Sequence, residues 1–564
     1  MIFEERKLHF MEALLIPLLF FFIAFPLWQI GERELFWHES DYAVMASELQ
    51  SVPPVMTTHG QVVTDEYPLF PLFAKGLNSC GFDMAFSLRF ISLASLLILA
   101  VIVWITCYQA QDITAAAVAA VVMFSVVIVA EKAIEGYPQM LTVLLVFSGW
   151  LAWYNQGLRR GRWDMAWILA GFFAALAFYS GGWTALVYFA VPLMFQRRPF
   201  SIWKKLNRWG FAVAALIVVG VILFWALPLI FASMDSPLPR REMIYSQFDF
   251  RYYFTEFLKF PFDVMIRFWP WTLMLWAPFC PAIVPLDKNP LFTRYLRTIF
   301  YIQFVLLWLN PGTTGRDILF LVPLAAVLLG VNYWIVVRKY GHQFLTLFRI
   351  AAWVSIVVIP VIMLFLESEK IRTIMINIFL EENPWWIEER VRILQGESYS
   401  IILLLAAWLF AFAALILTHR LKIIWMIYLA IFGSGMLIFW AVVYPYRSLD
   451  HSRSELADGF AAALRSENLK SCQIIYKDLE LAGLYAETYY MKMPIRALRS
   501  SADLPESETI YVISARAPGR ITRVWTNLYE QQYKGKRLYL WKGVPKVEEE
   551  PYDNDDEYDD DEEE

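Results

Sequence analysis

The chain has 564 residues, of which 59% are hydrophobic and 18% charged, with a mean hydropathy of +0.47. A soluble protein of this length carries roughly a quarter of its residues as charge, so a water-soluble globular class is excluded. The formal net charge of −5 comes from residues 548–564, where 13 acidic side chains stand without a basic one. The remainder, with 40 acidic and 48 basic residues, carries +8.

Thirteen apolar runs approach the ~20 residues that cross a bilayer as a helix. They fall at 9–30, 84–108, 113–130, 138–154, 163–179, 182–196, 209–233, 264–286, 296–310, 316–337, 348–366, 399–418 and 422–444. The alternation of β-barrel strands is absent. The expected fold is therefore an all-α polytopic membrane protein. Ser180-Gly181-Gly182 between the fifth and sixth runs leaves a tight hairpin or a broken helix open, and the ninth run is short enough to be re-entrant. The first run lacks a small-residue cleavage site and reads as an anchor, not a signal peptide.

Lys and Arg set the orientation. One side collects eighteen of them, among them Arg159, Arg160, Arg162, Arg197, Arg198, Lys204, Lys205, Arg294 and Arg297, whereas the short loops opposite hold Lys132 and Arg316. This pattern puts the N-terminus in the cytoplasm and the C-terminal region outside the cell membrane, provided that 163–179 and 182–196 each cross. Three outer segments are then long: 31–83, 234–263 and 367–398. The second opens on Pro237-Leu238-Pro239-Arg240-Arg241. It continues with Phe254, Phe257, Leu258 and Phe260 around Glu256 and Lys259, an interfacial amphipathic pattern. The third carries Asn383-Pro384-Trp385-Trp386, an aromatic anchor.

Composition changes near 447, dividing the chain into a membrane domain (1–446), a small α/β domain (447–547) and a disordered acidic tail (548–564). In the small domain 449–469 reads as an amphipathic helix with Leu456, Phe460 and Leu464 on one face. Cys472 to Tyr476, Thr509 to Ser514 and Lys536 to Trp541 read as buried strands. Cys80, Cys107, Cys280 and Cys472 lack metal or redox spacing, and Cys80 and Cys472 could pair across the outer face. No phosphate-binding loop, dinucleotide fingerprint or HExxH helix occurs. That excludes an ATPase, a dinucleotide enzyme and a zincin, and nothing points to nucleic acid.

The acidic residues of the first outer segment carry the functional reading. Phe36-Trp37-His38-Glu39-Ser40-Asp41-Tyr42-Ala43 precedes Thr64-Asp65-Glu66-Tyr67-Pro68-Leu69. Carboxylates at a membrane boundary are costly unless exposed or paired. A solvated amphipathic helix starting near Ser40, its acidic first turn matched to the helix dipole, would account for Glu39 and Asp41 without function. The functional reading makes Glu39, with Asp41 or Glu66, the base that takes a proton from an acceptor hydroxyl. A divalent metal is the one candidate cofactor, with His38, Glu39 and Asp41 as ligands and His59 as a further candidate. A surface role is the plainer reading of the histidines. Arg240, Arg241, Arg251, Arg267 and Arg316 lie at outer membrane ends. They read as interfacial anchors or as a grip on a lipid phosphate, which the guanidinium fork matches.

His38-Glu39-Ser40-Asp41-Tyr42-Ala43 resembles the Asp-Glu-x-x-Tyr-Ala motif in the first outer loop of the GT-C membrane glycosyltransferases, in the branch of protein O-mannosyltransferases and lipid A aminoarabinose transferases. Glu66-Tyr67-Pro68-Leu69 is similar to that branch's Glu-Lys-Pro-Pro-Leu. Leu176 to Trp183 falls at its Leu-Thr-Lys-Gly-Pro segment. Phe268-Trp269-Pro270-Trp271-Thr272 resembles its Leu-Pro-Trp-Ser entry to a span, and Gly315 to Pro323 its Arg-Tyr-x-x-Pro helix start. The small outer α/β domain fits the bacterial members. The resemblance implies about thirteen spans and inverting transfer of a sugar from a polyprenyl phosphate to a hydroxyl on lipid, glycan or protein. It departs at three places: His38 stands for the family's catalytic Asp, and Tyr67 and Gly181 stand for its two lysines. Tyr67 is accordingly grouped with Arg240, Arg241 and Arg316 at the donor phosphate. A catalytically degenerate scaffold and a lipid-linked-sugar transporter are the rival readings, and the absence of internal repeats or mid-membrane charges weighs against the transporter.

Overall fold

The structure is a computed structural model. It describes residues 34–545 apart from 36–37, 50–54, 133–134, 198–200, 236–249, 311, 372, 374–398, 421–423, 444–453, 468–474, 479–484, 499–507, 517, 519–522 and 534–535. The first apolar run, Arg240, Arg241, Asn383-Pro384-Trp385-Trp386, Cys472 and the acidic tail lie outside the described residues. The chain divides into two units, Met1–Thr58 with Val62–Ser452, and His59–Gln61 with Arg453–Glu564.

The first unit is helical. Helix α1 (Glu39–Glu48) is followed by a two-residue hairpin, β1 (Thr57–Thr58) and β2 (Gln61–Val62), and by α2 (Leu69–Ser79). Then come α3 (Met84–Ala110), α4 (Ile113–Ser125), α5 (Val127–Lys132) and α6 (Gln139–Trp153), the last prolonged by a π-helical turn, Tyr154–Arg159. Next are α7 (Trp163–Met194), α8 (Ile202–Leu206), α9 (Trp209–Asp235), α10 (Phe250–Arg267), α11 (Thr272–Leu275) and α12 (Pro290–Leu309). A 3₁₀ segment, Gly315–Leu321, leads into α13 (Val322–Glu367), and α14 (Tyr399–Arg420) and α15 (Ile424–Ile438) complete the unit. Among the described residues five helical stretches are long and apolar enough to cross a membrane by length and composition: Met84–Ala110, Trp163–Met194 (counted across a break at Gly182), Trp209–Phe231, Gly315–Glu367 and Ser400–His419. Their outward faces are greasy. Leu216 is 73% exposed on α9 and Val357 61% exposed on α13, as helices bathed in lipid require.

Gly182 decides between the hairpin and the broken helix. Its φ of 66° and ψ of −148° interrupt α7. Gly149 on α6 lies against both Phe173 and Phe189, sixteen residues apart, which on an unbroken helix would be separated by about 24 Å. The indole of Trp150 also donates to the carbonyl of Phe189 at 3.0 Å. Chain ends meet accordingly: Lys205 Nζ donates to the carbonyl of Gln196 (2.6 Å) and Trp167 Nε1 to that of Lys205 (2.8 Å). The chain thus doubles back at Gly182.

Three expected spans differ. Residues 264–286 do not form one helix. Four prolines, Pro270, Pro278, Pro281 and Pro285, each remove an amide donor and crowd the preceding turn, and the segment breaks into the end of α10, α11 and two 3₁₀ turns. Conversely, 316–337 and 348–366 are joined in the 46-residue α13, about 69 Å along its axis. The intervening Arg338 to Gln343 holds no proline, so its charges mark a polar belt on a helix and not a loop.

The second unit is a small α/β fold. A five-stranded sheet has the order β4 (Ile495–Leu498), β3 (Ile475–Asp478), β5 (Ile510–Ser514), β7 (Lys536–Pro545), β6 (Arg523–Tyr533). The β3–β4 and β3–β5 pairs are parallel and the pairs involving β7 antiparallel. Helix α16 (Ser454–Ser466) buries Ala457, Phe460 and Leu464 against Ile475, Tyr511, Ile513, Leu538 and Leu540. Helix α17 (Tyr485–Tyr490) and strands β4 and β6 were not expected from the sequence. His59 belongs to this unit. It is buried, and its Nε2 meets Thr488 Oγ1 at 2.9 Å, so it is not a surface residue. Cys80, Cys107 and Cys280 are free thiols, and Cys472, the suggested partner of Cys80, lies outside the described residues.

Candidate active site

The site is built at the ends of α1, α3, α5, α6 and α10 that share one face of the first unit. Helix α1 starts at Glu39, with Glu39 and Asp41 in its first turn where the helix dipole favours anions. It is not the solvated helix that its acidic residues suggested: every residue from Glu39 to Ala46 is buried.

Glu39 is committed to a buried ion pair. Arg89 Nη2 donates to Oε2 at 2.7 Å and Arg89 Nε to Oε1 at 3.1 Å. The amide of Gly136 donates to Oε1 at 2.6 Å. Arg89 is wholly buried on α3 and also donates to the carbonyl of Glu34 (2.7 Å). Gly136 is required for this approach, because a Cβ there would fall 2.6 Å from that of Leu88. Arg89 was missed in the sequence. Its signal was an arginine six residues into an apolar span, where a charge is rare and nearly always paired.

The other acidic residues face a tyrosine. Tyr42 O–H donates to Glu66 Oε2 at 2.6 Å, and the Tyr42 ring meets the edge of Tyr137 at 5.2 Å. His38, largely exposed, sits 6.4 Å from the Tyr137 ring with its Nδ1 3.4 Å from Asp41 Oδ2. Across the same ring lies Arg316, its guanidinium 4.1 Å from the centroid, a cation–π contact. Burial, then the Glu66 charge, pushes the Tyr137 phenol up to about 12. The same two causes raise Tyr42 well above 10. Both phenols therefore stay neutral as hydrogen-bonding groups at physiological pH.

Arg316 ends a ladder of charges. Its Nη2 lies 3.1 Å from Glu135 Oε2. Lys132 pairs with Glu135 (2.7 Å) and Glu131 (3.3 Å), and Arg267 with Glu131 (3.3 Å) and Asp263 (2.8 Å). Three cations and three carboxylates, all partly buried, thus alternate. Asp317 caps the start of the 3₁₀ segment through Thr314 and accepts from the Gln139 side chain.

Glu66, through Tyr42, and Arg316 thus meet at Tyr137, and Asp41 is linked to them through His38, whereas the Glu39 oxygens are engaged by Arg89 and the Gly136 amide. Tyr67 is elsewhere. Its ring packs on Phe178 (5.3 Å) and Trp225 (5.1 Å) and fills the space over Gly182, where a Cβ would stand 1.9 Å from it. Its hydroxyl takes the Trp183 amide, so it supports the α7 hairpin and does not join Arg316. Among the described residues no three His, Cys, Asp or Glu side chains come together as metal ligands. With the Glu39 oxygens taken by Arg89 and Gly136, the set His38, Glu39 and Asp41 does not fit a divalent ion.

No known family profile matches the sequence, and no curated protein matches it. Solved structures do. ArnT from Cupriavidus metallidurans superposes with a TM-score of 0.66 at 15% identity, over 95% of this chain and 98% of that one. Its undecaprenyl phosphate-bound form gives 0.66 at 14%, over 94% and 97%. The chain has the fold of these ArnT structures, the GT-C fold. An oligosaccharyltransferase from Archaeoglobus fulgidus is similar more distantly, with a TM-score of 0.40 at 10% identity over 89% of this chain and 69% of that one.

Proposed function

We propose that this GT-C protein transfers a sugar from a polyprenyl-phosphate donor to a hydroxyl acceptor on lipid, glycan or protein, at the outer face of the membrane. The observation that carries this reading is the meeting of Arg316 with the Tyr137 ring, beside Glu66 on Tyr42 and Asp41 on His38, at one end of the helices. A lipid carrier enters sideways between helices and leaves its phosphate at that end, beside Arg316, Lys132 and Arg267, with Arg240 and Arg241 as further candidates. The undecaprenyl phosphate of the ArnT structure supports this class of donor. Asp41, directly or through the His38 imidazole that it orients, takes the proton of the acceptor hydroxyl. The freed oxygen attacks the anomeric carbon opposite the phosphate, the carbon–phosphate-oxygen bond breaks with inversion, and the departing phosphate is stabilised by the guanidinium. Glu66, held by Tyr42, is the second carboxylate. Glu39 positions α1 through Arg89 and is not the base. The basic cluster at the opposite helix ends supports a cytoplasmic N-terminus and an outward-facing site.

The test is sugar transfer in membrane vesicles supplied with polyprenyl-phosphate sugars, comparing the parent with Asp41→Asn, Glu66→Gln and Arg316→Gln. A loss of about 10²-fold or more is expected where a base or charge stabiliser is removed. Unchanged transfer in both Asp41→Asn and Glu66→Gln would dismiss the carboxylate mechanism. A second reading, a degenerate scaffold that binds but does not transfer, is favoured by the replaced motif positions His38, Tyr67 and Gly181. Binding of undecaprenyl phosphate without transfer by the parent, across several donors, would establish it.

A further inference from the structure

At the helix ends opposite the candidate active site the first unit has two neighbouring cavities of about 280 and 290 Å³ that share Leu158 and Leu291. Thr106 to Ala110 at the first cavity stand 17–21 residues along α3 from Arg89, about 26–32 Å, and so far from the Arg89–Glu39 pair. The first cavity is lined by Arg159 and the second by Arg197 and Arg294, and neither wall holds an Asp or Glu. The nearby carboxylates are already used. Asp112 caps α4 through the Ala115 amide, and Asp287 pairs with Arg297 at 2.7 Å. Arg159 makes one long contact, 3.4 Å, to Gln109. Excess positive charge thus stands in concave, half-open space. The π-helical turn Tyr154–Arg159 shapes one wall: its i→i+5 repeat brings Tyr154, Asn155, Leu158 and Arg159 to one side, and such turns concentrate at functional positions. Beside the arginines are bare apolar surfaces, Phe195 at 49% exposure and Leu291 at 45%.

We infer that these joined cavities bind the headgroup of an anionic phospholipid of the inner leaflet. Its phosphate would be held by Arg159, Arg197 and Arg294 and its first acyl carbons would lie along Phe195 and Leu291. A free phosphate would find the charge but gain nothing from the apolar strip. A zwitterionic lipid would find the strip but bring its own cation to the arginines. Basic pockets between spanning helices on the cytoplasmic side suit anionic headgroups for this reason. The inference is independent of the sugar-transfer reading, since the site shares no residue with the outer face.

Native mass spectrometry of the detergent-purified full chain, titrated with dioleoyl phosphatidylglycerol or dioleoyl phosphatidylcholine, tests it. The parent should retain phosphatidylglycerol preferentially. The Arg159→Gln/Arg197→Gln/Arg294→Gln variant should lose about tenfold or more in retention. Arg338→Gln/Lys339→Gln, which removes exposed charge from α13, should retain it as the parent does. Inorganic phosphate in large excess should not displace the lipid. Equal retention of the two lipids, retention unaffected by the triple substitution, an equal loss in the α13 control, or displacement by inorganic phosphate would each overturn the inference.

Discussion

Glu39 is the residue that the sequence offers as a base, yet it is bound to Arg89, and the two roles can be separated by charge. Glu39→Gln leaves the Arg89 guanidinium, with no exposed surface, facing a neutral amide. Breaking a buried pair from one side costs about 3–5 kcal/mol, because the remaining charge is uncompensated. At ~1.4 kcal/mol per factor of ten, that shifts the folded fraction by two to more than three orders of magnitude. The expected outcome is a poorly expressed, low-melting protein in fluorescence-detected size exclusion. Glu39→Gln/Arg89→Gln removes both charges and should recover most of the loss, as replacement of whole buried pairs does. Sugar transfer per folded molecule should then be close to that of the parent. Loss of a general base would instead cost about 10²–10⁴-fold. A double variant as stable as the parent but lacking transfer would refute the positioning role, and a single Glu39→Gln variant of undiminished stability would refute the pair itself.

Gly182→Ala should abolish folded protein in detergent, since the side chain meets both a φ of 66° and the Tyr67 ring. In a Tyr67→Ala background the collision is relieved but the backbone strain of about 1–3 kcal/mol remains, so rescue should be partial; full recovery would contradict the hairpin geometry. Tyr137, pushed up to about 12, holds its proton in the folded chain while an unfolded phenol releases it near 10. Stability should therefore fall as pH rises from about 10 to 12, with Tyr137 contributing roughly 2–3 kcal/mol, and Tyr137→Phe should shrink that dependence in melting curves by about this amount while Tyr42 keeps its own share. Glu135→Gln leaves Lys132 and Arg316 short of a counter-charge and should tighten binding of undecaprenyl phosphate several-fold in a lipid-binding titration. Unchanged affinity would place the phosphate elsewhere.

What the sequence made legible follows the range of the interactions. Apolar runs report a local property, so α3, α9 and α14 stand where hydropathy placed them. At the α7 turn Gly181-Gly182 permits both a hairpin and a broken helix. Tyr67, more than a hundred residues away in sequence, fills the turn that Gly182 makes. Residues 264–286 were misread because mean hydropathy is blind to four prolines, and α13 was divided because Arg338 and Lys339 look like a loop to a rule that counts charge. At the site, the carboxylates were visible as acids in a greasy chain, but their partners were not. Arg89 lies 50 residues from Glu39 and Glu135 lies 181 from Arg316. Tyr137 carries no charge to mark it, although Glu131, Lys132 and Glu135 beside it made the short loop unusually polar.

The balanced ladder from Asp263 to Arg316 constrains the chemistry more than any single residue does. Cations awaiting a lipid phosphate at a partly buried boundary cannot stand alone, because desolvating an uncompensated charge costs several kcal/mol. An empty donor site must therefore hold carboxylates in place of the phosphate, and Glu131, Glu135 and Asp263 supply one for each of Lys132, Arg267 and Arg316. An arriving phosphate then competes with Glu135 for Arg316, and it must do so over the face of Tyr137, the ring that also contacts His38 and Tyr42. Donor entry would in that way be felt at Asp41 and Glu66 before any bond is made. A purely structural ladder would have no such link, and the response of Glu135→Gln to undecaprenyl phosphate separates the two.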